Sequence, residues 1–358
     1  MKYKFFSDLA AASLLFCIFC IVSCKKEAEP ASEPLSISID KSSVRANNFD
    51  EVTITVKEYD TDVTSSSTIF IDGPSQPPFV IINGDVHITS KFYTVVPGTY
   101  TIKATKDGRE TKTVTVTATD PGASPFSQKI LVEDYTATWC GYSPRVGVAL
   151  KNYSATNPRC IMVGVHGPLG TSDPYIYQGV TPLINSFNIQ IYPTAIVNRD
   201  FEWDEYNSSL GYELTKRAPL GIALETTING VTINVKAKVK FDGSSNFPLK
   251  IIILLVEDGL IFPQRNFYAP EYGADPISNY VHTNTLRAAA TDIFGDDIPV
   301  ASQRVGSTWE KNVSINATGY KMSNCKIVAA VVYAPNTFGR SGSLNAQSVN
   351  AGQNKNFD

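Results

Sequence analysis

Histidine is scarce in this chain: three residues in 358, beside six cysteines and three methionines. So few imidazole and sulfur ligands leave little material for a transition-metal site. Neither sign of charge dominates, since 31 basic and 34 acidic residues give a formal charge of −3. That balance lacks the basic footprint of a DNA or RNA binder, so no nucleic-acid partner is expected. The sequence also has no phosphate-cradling glycine loop, no dinucleotide fingerprint, no His-Glu-x-x-His and no paired-cysteine zinc motif. No cofactor and no metal are therefore expected. What is abundant is apolar material: 43% of residues are hydrophobic and 18% charged. Such a composition buries real cores and is unlike that of a disordered chain.

The longest apolar run, residues 9–23, follows Lys2 and Lys4 and stops before Lys25-Lys26-Glu27. It is shorter than the roughly 20 residues needed to cross a bilayer. A basic start and a short apolar stretch read as a secretory signal peptide. The run ends in Ile21-Val22-Ser23-Cys24, which resembles a bacterial lipobox. That resemblance implies that Cys24 is lipidated, becomes the mature N-terminus and holds the protein to a membrane through acyl chains. With Lys25 rather than Asp next, it implies the outer membrane, facing either the periplasm or the cell surface. The charged, Pro-containing residues 24–34 read as a lipidated tether. Loss of the signal peptide leaves three thiols besides Cys24: Cys140, Cys160 and Cys325. These allow one disulfide plus a free thiol, or three free thiols.

Residues 35–119 alternate polar and apolar side chains, as in Val52-Thr53-Ile54-Thr55-Val56 and Thr113-Val114-Thr115-Val116. Asp107-Gly108 is a hairpin turn signal between two such runs. This segment resembles bacterial Ig-like β-sandwich domains, which implies a scaffold or spacer. Residues 120–125 (DPGASP) are a linker by composition.

Beyond the linker, apolar strands are expected at 129–132, 160–165 and 191–197, with helical segments at 145–157 and 181–188. That order is an α/β pattern with a parallel component. The string TATWCGYSP, with Asp134 six residues before Cys140 and Tyr192-Pro193-Thr194 later, resembles the active-site turn of the thioredoxin superfamily. The resemblance implies a nucleophilic Cys140, a buried acid at Asp134 and a cis-Pro193 facing the thiol. More narrowly, VEDYTATWCGYSPR, ILLVEDGLIFPQRN and NYVHTNTLRAAATDIFGDDIP resemble the Omp28-related outer-membrane lipoprotein family of Bacteroidetes. That family couples a thioredoxin-like unit to a C-terminal β region.

Ser143 departs from the pattern, because it stands where a resolving cysteine would be. An alcohol is too weak an acid to attack a mixed disulfide at neutral pH. A helix N-terminus carries about half a positive charge, which favours a thiolate there. Cys140 is thus expected to attack a disulfide at most once, without dithiol turnover. Cys160, Cys325 and His282 read as structural residues, and His166 as the end of the second strand in an exposed loop. After Pro219 the chain returns to β, with Asn229-Gly230 as a second turn signal. Residues 279–294 read as a loop with a short helix, and the tail from 334 as poorly ordered at its end.

The expected fold is therefore a multidomain α/β plus all-β chain. Its parts are a signal peptide (1–23), a tether (24–34), an Ig-like β-sandwich (35–119), a thioredoxin-like α/β domain (125–217) and a C-terminal β-sandwich-like domain (218–358). Three function classes fit it. They are an envelope binding protein with a protein or peptide partner on a CxxS scaffold, a monothiol exchange or isomerase-type enzyme using Cys140, and a purely structural surface component.

Overall fold

The structure is a computed structural model that describes residues 35–74, 79–81, 90–170, 172–337 and 339–358. The expected signal peptide, Cys24 and the tether lie outside the described residues.

Residues 36–119 build two sheets around one core. Ser36–Ile39, Val52–Glu58, Thr61–Asp62 and Lys91–Phe92 form the first sheet. The second contains Ser43–Arg45, Val114–Thr119, Gly98–Lys106 and Thr68–Asp72, with two short strands at its margin. Period-2 alternation decides which side chains point inward. Val52, Ile54 and Val56 are buried from one sheet, and Tyr100, Ile102, Ala104, Val116 and Ala118 from the other. Asp107 and Gly108 both have positive φ, 50° and 76°, as a tight type I′ hairpin turn requires.

The larger part of the chain overturns the expected fold class. It is mostly β, with no separate thioredoxin-like α/β domain. Among the described residues there are three α-helices: α1 (Ser143–Thr156), α2 (Thr181–Ser186) and α3 (Asn207–Glu213), of 14, 6 and 7 residues. Strands Ile130–Thr136 and Cys160–His166 are parallel, and Thr194–Val197 is antiparallel to the former. These strands do not end a sheet of their own. They continue across Thr285–Ala289 into Leu249–Glu257, Cys325–Tyr333 and Ser343–Asn350, one sheet of nine strands. The joint is narrow: Gly164 pairs with Thr285, and its N–H donates to Asn284 O at 2.9 Å. Hydrophobic periodicity marks each strand but not its neighbour, which is why the sequence suggested two domains here.

The apolar runs of 249–257 and 325–333 are buried on both faces, as near-continuous hydrophobic strands usually are. Ile251, Ile253, Leu255, Ile327, Ala329 and Val331 face a core shared with a four-stranded sheet. That sheet comprises Thr308–Asn316, Thr232–Phe241, Leu220–Asn229 and Asn354–Lys355. The alternate residues Ile252, Leu254, Val256, Val328, Ala330 and Val332 face a second core with Leu131, Tyr135, Val163 and α2. A third core lies between the other face of 130–136 and 160–166 and helices α1 and α3. In the 220–241 hairpin Asn229 pairs with Thr232, and Gly230 has φ 60°. Glycine thus takes the first of two central positions, where a II′ turn places it.

Two further expectations fail. Residues 279–294 contain no helix but the strands Val281–His282 and Thr285–Ala289. The end of the Gly/Ser/Asn-rich tail, expected to be poorly ordered, pairs as the strand Asn354–Lys355 with Leu220–Asn229, after the core strand Ser343–Asn350. Its buried Asn345 accepts from Lys129 N (2.9 Å) and donates to Ser127 O (3.1 Å) and Leu220 O (2.8 Å). Polar residues enter the interior here because each finds partners.

The N-terminal sheets are tied to the C-terminal sheets by polar and aromatic contacts. Buried Glu51 accepts from Lys91 Nζ (2.8 Å), Ser245 Oγ (2.9 Å) and Asn246 N (2.5 Å). Arg45 pairs with both Asp50 and Asp242. Phe49 stacks on Phe241, and the Arg340 guanidinium lies 3.5 Å from the Tyr93 ring centre.

Candidate functional site

Strand Ile130–Thr136 leads into a turn, residues 137–142, and α1 starts directly after it. Pro144 sits in the first turn of α1, where a missing N–H costs nothing. Cys140 therefore lies just ahead of the helix N-terminus. It is 6% exposed, and its thiol donates to Tyr192 O at 3.2 Å. The Tyr192–Pro193 peptide is cis, so Cys140 and the Pro193 segment meet at that carbonyl.

Asp134 and Ser143 do not share this contact. They line a separate chamber of about 20 Å³ beneath the turn, with His166, Gln264, Tyr280 and His282. Asp134 is 2% exposed and its Oδ1 has no hydrogen-bond partner. Burial pushes its carboxyl up to about 7. Ser143 is likewise buried, with Oγ unpartnered. Next to the chamber, His166 Nδ1 is 2.9 Å from Asp173 Oδ2, which also accepts from Thr138 N at 2.6 Å. Burial works against the Asp173 carboxylate, but these bonds and one from Tyr175 N hold it below its usual range. Burial, and then the neighbouring His166, push His282 down to about 4, so it is neutral at neutral pH.

His166 was expected to end the second strand and to lie in an exposed loop. It ends strand Cys160–His166 and is 2% exposed. Cys160 and Cys325 are buried, and burial pushes them up to about 12 and about 11. Cys140, Cys160 and Cys325 are all free thiols. Among the described residues no three His, Cys, Asp or Glu side chains gather as metal ligands would.

Sequence reasoning missed the cover of the turn. Gln264, 1% exposed, donates from Nε2 to Cys140 O (2.8 Å) and Ala137 O (3.2 Å). Arg265 N donates to Thr138 O at 2.9 Å, and Phe267 N to Gly141 O at 2.8 Å. Around this cover sits an aromatic surface. Tyr142 (51% exposed) meets Phe267 (55% exposed) edge to face, with ring centres 5.1 Å apart, and Tyr268 at 6.0 Å. Ile191, next to Tyr192, is 71% exposed. A glutamine and two aromatics within five residues, 264–268, were the only sequence signal.

Residues 181–355 match the family described as outer membrane protein Omp28. The matched region includes Pro193 and the 264–268 cover, and it begins after the Cys140 turn. Among solved structures, HBP35 of Porphyromonas gingivalis has a TM-score of 0.52 at 17% identity. That match covers 64% of this chain and 76% of that one. At this identity it shows likeness of fold alone. The structure of the Yersinia pseudotuberculosis adhesin InvE matches with a TM-score of 0.17 at 9% identity, over 88% of this chain and 57% of that one. No curated protein matches the chain. The family match is to an outer-membrane protein family and points to the cell envelope.

Proposed function

We propose that this protein is an envelope binding protein, tethered to the outer membrane through a lipid on Cys24, that docks a protein or peptide partner on the aromatic surface around the Cys140 turn. The observation that carries this reading is the contrast between thiol and surface. Cys140 is buried, hydrogen-bonded and without a second thiol at position 143, whereas Tyr142, Phe267 and Ile191 stand exposed beside it. Aromatic side chains with one face in water are the usual anchors of protein interfaces. Disulfide exchange asks for the reverse arrangement, an exposed thiol and a resolving partner.

Photo-crosslinking in intact envelopes tests both parts. A photoreactive residue at position 142 or 267 is expected to give one adduct of the same size. A probe at Asn312, on the edge strand Thr308–Asn316 of the four-stranded sheet, is expected to give none. Cys24→Ala is expected to release the protein from membranes and abolish the adduct. Adducts of equal yield from all three positions, or none from any, would refute the docking surface.

A further inference from the structure

We propose that the cleft between the N-terminal part and the rest of the chain binds a sugar carrying an acid group, and that Arg340 holds that group. The cleft measures about 550 Å³, within the range of pockets that take a small molecule. Asn47, Asn48 and Val95 line it from the N-terminal part, and Gln128, Arg217 and Arg340 from the other side. It shares no residue with the aromatic surface around the Cys140 turn, so the inference stands apart from any docking partner there. Arg340 is a cation without a counter-ion: its guanidinium makes no ion pair among the described residues. Aromatic rings hold it instead, with ring centres 3.5 Å away for Tyr93, 5.2 Å for Phe247 and 5.6 Å for Tyr333. Among the described residues Nε and Nη2 have no hydrogen-bond partner. Nη1 donates to Oδ1 of the exposed Asn48 at 3.3 Å, which is long for such a bond. Stacking fixes the plane of a guanidinium and leaves its in-plane donors for a carboxylate or a phosphate.

The acids that line the cleft are already engaged. Asp200 accepts from Ser341 Oγ, and Glu213 from Asn198 Nδ2 at 3.1 Å and from Lys216 Nζ. Unmet capacity therefore lies on the cationic side, where Arg217 Nη1 is also without a partner. That imbalance suits a ligand with negative charge and disfavours a cation. Gln128 sets a second requirement. It is 7% exposed and its Oε1 has no partner, so the ligand must also bring a donor such as a hydroxyl. An acid group together with hydroxyls is the chemistry of a uronate or a sugar phosphate. Tyr212, 66% exposed and part of the lining, supplies a ring for the flat C–H face of such a sugar. The acid group sits at Arg340 Nη1, where it displaces the Asn48 amide.

Titration calorimetry on the full chain in detergent tests the site with four probes: digalacturonate, glucose 6-phosphate, neutral maltose and inorganic phosphate. At least one of the two acidic sugars is expected to bind, and which one does assigns the acid group. Maltose and inorganic phosphate are expected to bind more weakly by about tenfold or more, since each lacks one half of the recognition. Arg340→Gln is expected to abolish binding of the acidic sugar, but Arg340 also helps to hold the N-terminal sheets. Asn48→Asp is the sharper variant. It changes one exposed amide into a carboxylate of the same shape beside Nη1, at a position whose φ of 58° Asp tolerates as Asn does. The chain then supplies its own counter-ion, and affinity for the acidic sugar is expected to fall by about tenfold or more. The proposal is overturned if neither acidic sugar binds at millimolar concentration. It is equally overturned if maltose or inorganic phosphate binds as tightly as the acidic sugar, or if Asn48→Asp binds it as well as the wild type.

Discussion

Asp134 shows how far one side chain can be governed by its surroundings. Its carboxyl sits in a chamber with Ser143, Tyr280 and two histidines, and burial raises it to about 7. In the unfolded chain it ionises near its ordinary value of 3.8. Between those two pH values the folded state holds a proton that the unfolded state has lost, so stability falls as pH rises. The loss begins above about 4 and is complete above about 7, where it reaches about 4 kcal/mol. Asp134→Asn removes this titration. The stability difference between variant and wild type, from urea unfolding, is expected to grow in the variant's favour from pH 5 to pH 8. A difference that stays flat with pH would mean that Asp134 is ionised in the fold throughout. A buried acid at Asp134 was what the thioredoxin resemblance implied. The unpartnered Oδ1 and the histidine neighbours were not legible in the sequence, because His166 and His282 come from strands far apart in the chain.

At the scale of elements, the strand Ser343–Asn350 is the most instructive. Its residues, SLNAQSVN, have little of the apolar alternation that marks a strand, and Gly342 precedes it. Composition alone did not mark it as a strand. In the fold Asn345 satisfies the backbone at Lys129, Ser127 and Leu220, and Gln347 accepts from Lys129 Nζ at 2.9 Å. Asn345→Ala would leave two buried backbone groups, Lys129 N and Leu220 O, without this partner, at a cost of about 2–4 kcal/mol. The apparent unfolding midpoint is expected to drop accordingly, while Asn350→Ala, at an exposed position, leaves it within error. Equal midpoints for the two variants would show that the tail strand contributes nothing. The hairpins at Asp107-Gly108 and Gly230, by contrast, were legible, because a turn is specified by a few adjacent residues.

For the molecule as a whole, the question is how its two parts are held. The segment 120–125 is mostly exposed and is the expected site of limited proteolysis. The contacts of Glu51, Arg45, Phe49 and Arg340 nevertheless bind the N-terminal sheets to the rest. After cleavage there, the two fragments are expected to co-elute in gel filtration. Glu51→Gln with Arg45→Ala removes the charge from a site that accepts three donors and breaks both ion pairs. The nicked double variant is expected to elute as two species. Separation of the nicked wild type would show that the linker alone holds the parts together.

Sequence by itself determined the features that depend on neighbours in the chain. Those are the alternation of residues 52–56 and 113–116, the hairpin turns, and the position of Cys140 ahead of a helix begun by Pro144. Tertiary structure decided what depends on strands far apart. It merged the expected central domain into a nine-stranded sheet, placed His166 and His282 side by side, and laid Gln264 and Phe267 over the Cys140 turn. The reason is physical: periodicity records which face of a strand meets apolar matter. It does not record which strand lies alongside, because backbone hydrogen bonds between strands are the same whatever the side chains.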